Sequence, residues 1–524
     1  MKTLKYIAMM LAVVFTTACS EEFLDRPPED AYVVDNFYQT DEHLTIATKG
    51  LYGAPWFAWN DKATFAIGDG AGGIYATNDG ALNQFALFSV TSSNSRLNEG
   101  WRSLYTVISH ANFIIRAIEN SPEENFTPEL KAKALGEARF MRGYAYFYLA
   151  MLWGDVPIIA DNVAIIEDAL IAKNPVADAY EFARRDLVFA SENLLLADEP
   201  GRVTQWSAKA VLARLHLNRA GLGQSGSRNT DDLAMAREYA EDVILNSGLM
   251  MLDNYGDLFV IANNNNEESL FALQWIDKGG TWGVQNTHQA YFSPEGSIAG
   301  VGDGWGGGSG AYPNIRNLYE TGDERRKATF MFPGDEYPQL KSTDGGYLYE
   351  AESPWASAIK KYVVGSAEDN PGQLISFMST PMNTYMMRLS EVYLIAAEAI
   401  LGDAASTTDA TALEYYNAVR ERAGLSARTE VTWMDIFNEK KLELAMEGHH
   451  WFDVVRWHYF APEDARNYIN SQDRGRYSWE DGNPILESSF ASIDHSDFIL
   501  PYPEGDVTMN PLLMEDAVPY EFND

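Results

Sequence analysis

The chain of 524 residues holds one cysteine, Cys19. A lone thiol excludes an intrachain disulfide and any zinc or iron–sulfur site built from several cysteines. Basic residues are scarce too. Lys and Arg number 39 against 75 Asp and Glu, for a formal net charge of −36. A surface that negative repels phosphate backbones and anionic headgroups, which argues against nucleic acid and against polybasic membrane docking. It suits a face presented to a neutral ligand. After Phe15 no apolar run approaches the ~20 residues of a membrane-spanning helix. Apolar content itself is ordinary, at 46% hydrophobic and 13% aromatic residues, and excludes a disordered or fibrous chain. The 13 Trp, 28 Tyr and 25 Phe are more than a core must use.

The position of the cysteine explains its presence. Lys2 and Lys5 make a basic start, Tyr6 to Phe15 a short apolar core, and Thr16-Thr17-Ala18 a small-residue step before Cys19. This order reads as a secretory signal over residues 1–18, with Cys19 as a bacterial lipidation site and 19–35 as a tether. Thr16 stands where such signals usually carry Leu, and a plain secreted protein with a leftover thiol is the competing reading. Acyl chains on Cys19 would hold the protein firmly at a membrane.

Further along, apolar and small residues recur at steps of three and four. Ala138, Met141, Ala145, Tyr148, Leu149 and Leu152 share one helix face. Further helices are expected over 104–118, 176–196, 204–220 (capped by Thr204), 231–246, 389–400, 412–423 and 433–446. The fold class is mainly α, with a helical scaffold over about 101–260 and 385–460. Small residues at contact positions suit antiparallel helix pairs, although no strict repeat period is present. Two stretches differ: about 56–98 and 263–384 are rich in Gly, Asn, Ser and aromatics. Their aromatic content argues against disorder, so both are expected to be irregular surface loops on a rigid scaffold.

Several segments then match one family in order. They are Cys19-Ser20-Glu21-Glu22-Phe23-Leu24-Asp25, Glu137-Ala138-Arg139-Phe140-Met141-Arg142-Gly143-Tyr144, Trp153-Gly154-Asp155-Val156-Pro157, Thr204-Gln205-Trp206-Ser207-Ala208, Arg388-Leu389-Ser390-Glu391-Val392-Tyr393, Asn417-Ala418-Val419-Arg420-Glu421-Arg422-Ala423-Gly424, and Glu447-Gly448-His449-His450-Trp451-Phe452-Asp453. Together they resemble the SusD/RagB family of Bacteroidetes outer-membrane lipoproteins, from the first twenty residues to Asn510-Pro511. The family more often carries Arg at His450 and Glu-Arg-Arg at Glu439-Lys440-Lys441. The resemblance implies one domain over 19–524, built on tetratricopeptide-like helical pairs with the irregular loops packed beside them. It also implies a lipid-anchored protein on the outer membrane, facing the cell exterior. Such a protein captures oligo- or polysaccharide, passes it to a SusC-like TonB-dependent transporter, and is not an enzyme. Glu21 and Glu22 resemble the surface-export signal of these bacteria.

A sugar ring offers C–H groups on its face to aromatic rings and hydroxyls on its edge to Asn, Asp, Gln and Arg. Trp282 and Trp305 are flanked by glycines that supply no packing partners and let backbone approach a ligand. They are the leading platform candidates, with loop packing as the alternative. The resemblance places sugar contacts near Asp69, Tyr75 and Asn78. Trp56 and Trp59 are secondary candidates that fit core packing better, and Trp101, Trp206, Trp451 and Trp457 read as core.

Glu447 and His450 have the spacing of a di-iron helix, but it occurs once and Gly448 weakens the helix there. No metal or other cofactor is expected. The oxygen-rich run from Asn263 to Glu268 lacks the spacing of a calcium loop and reads as a solvated polar loop. No nucleophile elbow, phosphate loop or paired-histidine zinc motif occurs, and no carboxylate pair stands out for glycoside hydrolysis. The alternative function is capture of a peptide or protein on the same scaffold, and a glycosidase grafted on the loops is a third.

Overall fold

The computed structural model describes residues 38–522, apart from 168, 277–281, 351–353, 482 and 491. The expected signal peptide, Cys19 and the expected tether lie outside the described residues. The long helices are α1 Ser95–Glu119, α2 Pro128–Trp153, α3 Val176–Asn193, α4 Gln205–Arg219, α5 Thr230–Asn246, α6 Leu389–Leu401, α7 Ala410–Arg422, α8 Trp433–Glu443, α9 His450–Phe460 and α10 Pro462–Asn470. Each of α1 to α5 packs on the next in the chain. α5 then meets α6, across the loop-rich insertion, and α6 carries both α7 and α8. The fold is mainly α and tetratricopeptide-like.

Local chemistry sets these elements. The Asn94 side chain accepts from the N–H groups of Arg96 and Leu97 and starts α1. Thr204 and Ser207 form a capping box at α4. α2 buries almost its whole length, so small residues decide how near its neighbours come. A Cβ at Gly143 would stand 2.9 Å from the Ala183 carbonyl, so glycine lets α3 lie close. At Gly448 the backbone turns to φ +80°, which separates α8 from α9. α8 itself stops at Glu443, where Leu444 leaves helical geometry, and so falls short of Met446, which turns to φ +65°.

Strands are few among the described residues and occur as two-stranded pairs. β1 (Tyr75–Thr77) pairs with β3 (Ser309–Ala311), and β2 (Ser269–Leu273) with β4 (Thr384–Arg388), both antiparallel.

The stretch 56–98 departs from the expected surface loop. From Trp56 to Gly70 it forms short helical turns, two of them with the wider π spacing, and nearly all of it is buried. Its glycines serve contact rather than exposure: a Cβ on Gly68 would lie 2.1 Å from the Gly448 carbonyl oxygen.

Buried ion pairs fasten the insertion to the scaffold. Arg388 reaches Glu268 at 2.6 Å, Glu443 at 2.9 Å and Glu447 at 2.8 Å. Lys361 reaches Glu447 at 2.9 Å, while Arg422 pairs with Glu268 and Glu443. Glu447 is therefore spent on cations rather than offered to a metal. The run Asn263–Glu268 is not simply solvated: Asn264 donates to the Pro381 carbonyl, Asn265 pairs with Gln274, and Asn266 donates to the Tyr385 hydroxyl.

Candidate functional site

Two of the sequence candidates stand on the surface as large exposed rings. Trp282 is 57% exposed and Trp305 50% exposed, both rare for tryptophan. Phe57 meets the edge of Trp282 at 5.1 Å between centroids. Trp305 lies between Tyr291 at 6.0 Å and Phe377 at 5.8 Å, and Phe377 is itself 56% exposed. The segment 57–62 joins the two groups, because Lys62 places its Nζ 4.3 Å from the centre of the Tyr291 ring. Trp282, Phe57, Tyr291, Trp305 and Phe377 thus form a ledge of aromatic surface with polar groups set into it.

Glycines shape the Trp305 end. Gly304 sits at φ +129°, and a Cβ there would lie 2.6 Å from the Glu295 carbonyl carbon. One on Gly306 would lie 2.2 Å from the Phe292 carbonyl oxygen. The loop can therefore press its backbone onto 290–296, where Trp305 N donates to Ala290 O and Gly306 N to Ser293 O, both at 2.8 Å. With the backbone clamped, the indole is left pointing outward. The Asp303 carboxylate accepts from the N–H of Met378 and so sets Phe377 beside Trp305.

The polar groups on the ledge are Asp61, Lys62 and Tyr291. Asp61 Oδ1 accepts from Thr287 Oγ1 at 2.7 Å and from the Tyr291 hydroxyl at 3.2 Å. Burial raises the Asp61 pKa above its ordinary value, and those hydrogen bonds work against the rise. Burial lowers the Lys62 pKa, helped by the nearby Arg96. A carboxylate only 9% exposed and a partly exposed ammonium group stand beside the flat rings, polar groups that sugar hydroxyls can meet.

The remaining candidates separate. Asn78 is exposed and its N–H donates to the Gly308 carbonyl at 2.9 Å, which puts it beside the Trp305 loop. Asp69 is fully buried and corrects the expectation of a ligand contact. Its carboxylate accepts from the N–H groups of Met446 at 3.0 Å and Gly448 at 2.8 Å, and burial pushes its pKa up to about 7. Tyr75 is likewise withdrawn. It lies buried in β1, its hydroxyl 2.9 Å from Ser309 Oγ, and burial raises its pKa to about 12. Trp56 and Trp59 are core residues, packed edge-on against Tyr144 and tilted against Tyr148. Trp101, Trp451 and Trp457 are buried as expected, and Trp206 is partly so.

Sequence reasoning missed Phe57, Asp61, Lys62, Tyr291 and Phe377. An open groove of about 760 Å³, walled by Trp101, Tyr105, Ile159, Ile171 and Met509, contains none of the candidates.

Comparison with known proteins is decisive on family. A family model described as "SusD family" matches residues 262–518, and one described as "Starch-binding associating with outer membrane" matches 22–217. A SusD-like protein of Bacteroides ovatus is 38% identical over 99% of both chains. The chain belongs to the SusD family. SusD-like protein P25 of Formosa agariphila is 23% identical, covering 86% of this chain and 89% of that one. Among solved structures, one described as a crystal structure with xylogluco-oligosaccharide is 36% identical and superposes with a TM-score of 0.85, covering 92% of this chain and all of the other. A laminarin-binding SusD-like protein shares the fold at 21% identity and a TM-score of 0.70, over 90% of this chain and 98% of that one. Among the described residues of this SusD-family chain, no helix is long and apolar enough to cross a membrane, and no cluster of three or more His, Cys, Asp or Glu could hold a metal ion.

Proposed function

We propose that this protein is a cell-surface lipoprotein, anchored in the outer membrane through Cys19, that captures a neutral glycan on the aromatic ledge and delivers it to a SusC-like TonB-dependent transporter. It binds and does not cleave. The observation that carries the reading is the row of half-exposed rings at Trp282 and Trp305–Phe377, joined by Phe57 and Tyr291. Flat rings take the C–H faces of successive sugars, while Asp61, Lys62 and Asn78 address hydroxyls. A net charge of −36 disfavours acidic polysaccharides and leaves neutral ones. The relative solved with xylogluco-oligosaccharide makes a xyloglucan-type chain the first ligand to try.

Calorimetric titration of the protein lacking residues 1–19 against xylogluco-oligosaccharides and a panel of neutral glycans tests this, with released reducing ends measured in the same samples. Heat without sugar release is expected, and Trp282→Ala or Trp305→Ala should weaken binding at least tenfold. Sugar release would overturn the non-enzymatic role. Binding that survives both substitutions would overturn the ledge, and heat with a peptide panel alone would transfer the role to peptide capture. Replacement of Cys19 by Ala should free the protein from the membrane fraction, and isolation of the anchored form should bring a TonB-dependent transporter with it.

A further inference from the structure

Behind the turn at Gly72–Gly73, positive side chains are buried away from any carboxylate. Lys441 in α8 is 2% exposed, and its Nζ donates to the Tyr468 hydroxyl at 3.1 Å. Arg474 has no exposed surface. Its Nε donates to Gln472 Oε1 at 2.8 Å and its Nη1 to the carbonyls of Gly70 at 3.4 Å and Ala86 at 3.1 Å, while Nη2 has no hydrogen-bond partner. Gln472, 8% exposed, has an unpartnered Nε2 as well. Lys441 donates to the Tyr468 hydroxyl, which also feels Arg474 and Gln472. That hydroxyl also lies 3.1 Å from His450 Nε2. His450 Nδ1 is a third buried nitrogen without a partner.

The surrounding charges deepen the imbalance. Lys441 feels Arg474, and His450 feels Lys441, Arg474, Lys440 and Arg456. The buried acids of α6 and α9 are spent elsewhere: Asp453 on Lys440 and Arg456, Glu391 on Arg214 and Lys440, Glu398 on Arg228 and Arg456. Burial draws Lys441 down to about 7 and Arg474 to about 10. Burying cations and N–H donors without counter-charge or acceptor is costly. A small anion that accepts from several N–H groups at once removes both costs.

We propose that Lys441, Gln472 and Arg474 form a buried binding site for one small monovalent inorganic anion, chloride in a physiological medium. The site is distinct from the glycan ledge. It joins α8, the segment after α10 and the Gly70–Gly73 turn that leads into β1, and so stiffens the support beneath Asn78. A bound anion holds Lys441 protonated.

The test has two arms. Thermal melting of the wild-type protein at pH 7 is compared in sodium chloride and in sodium gluconate of equal ionic strength, gluconate being too large to enter. Crystals soaked in bromide are measured at the bromine absorption edge. Melting should be higher in chloride by on the order of 2 °C. This difference should vanish in Lys441→Met, or in Gln472→Leu should the first variant fold poorly, and persist in Lys209→Met on the surface. A bromide peak should lie against Arg474 Nη2 and Gln472 Nε2. Equal melting of the wild type in the two salts, or no bromide peak at these atoms, overturns the site.

Discussion

Replacing Arg388 by Met tests whether the buried ion pairs carry the junction between scaffold and ledge. Arg388, Arg422 and Lys361 face Glu268, Glu443 and Glu447, three cations against three carboxylates, with all six side chains at most 4% exposed. A methionine side chain there would fill much the same volume but leave three carboxylates for two cations. Glu268 and Glu443 would then share Arg422, with Arg325 no nearer to Glu443 than 3.5 Å. Glu447 would keep Lys361 alone. Removing one partner of a buried pair costs about 3–5 kcal/mol, because the remaining charge is uncompensated. At this chain length the entropy of unfolding, about 2 cal/mol/K per residue, turns each kcal/mol into a shift of about 1 °C. Differential scanning calorimetry at pH 7 should therefore show a fall of about 3–5 °C. The double variant Arg388→Met with Glu447→Gln should recover part of it, since the excess charge is gone. A loss below about 1 kcal/mol, or a double variant less stable than the wild type by the full sum of the two single effects, would refute this account of the junction.

Trp56→Ala should cost about 3–5 kcal/mol in urea unfolding, whereas Trp305→Ala, half exposed, should stay within about 1 kcal/mol and lose glycan affinity instead. Asp69→Asn would set an amide N–H2 against one of the two backbone N–H groups it now satisfies. A loss of about 1–3 kcal/mol is expected, with glycan affinity unchanged in calorimetric titration. Stability should also fall on acidification in two ranges, followed as melting temperature against pH. Burial lowers His288 and His449 from 6.5 to about 4, so the unfolded chain takes up protons first and stability drops between pH 6.5 and 4, by about 1.4 kcal/mol per unit for each. Arg456 and Arg228 hold Glu398 at about 2, so its contribution, complete above pH 4.5, disappears as pH falls from there towards 2.

The scaffold was readable because each helix states itself locally. α2, α4 and α6 carry apolar residues at steps of three and four, and Thr204 and Gly448 mark ends that the backbone honours. The insertion was not readable in the same way. Its order comes from partners far along the chain: Glu268 waits for Arg388 and Arg422, and Asp69 for the turn at Met446–Gly448. Composition misled at 56–70 because glycine has two opposite uses. In an exposed loop it supplies freedom, while at Gly68 it permits backbone contact. Only the folded chain distinguishes the two.

The same ambiguity resolves in favour of Trp305, whose glycines press the loop onto 290–296 and thereby drive the indole outward. Close backbone contact and ring exposure are one geometric event there, so the glycine flanks were a sound signal for a reason other than loop freedom. For the Trp56–Ala63 segment a second signal was present and unused. Trp56, Trp59 and Ala63 fall at steps of three and four, which assigns them to one buried helix face. The face left over carries Phe57 and Lys62, the residues that join Trp282 to Tyr291. Reading that periodicity would have strengthened the core assignment of the two tryptophans and put their neighbours forward in their place. Tyr291 and Phe377 come from segments more than eighty residues apart and meet only through Trp305, so no local pattern could have paired them.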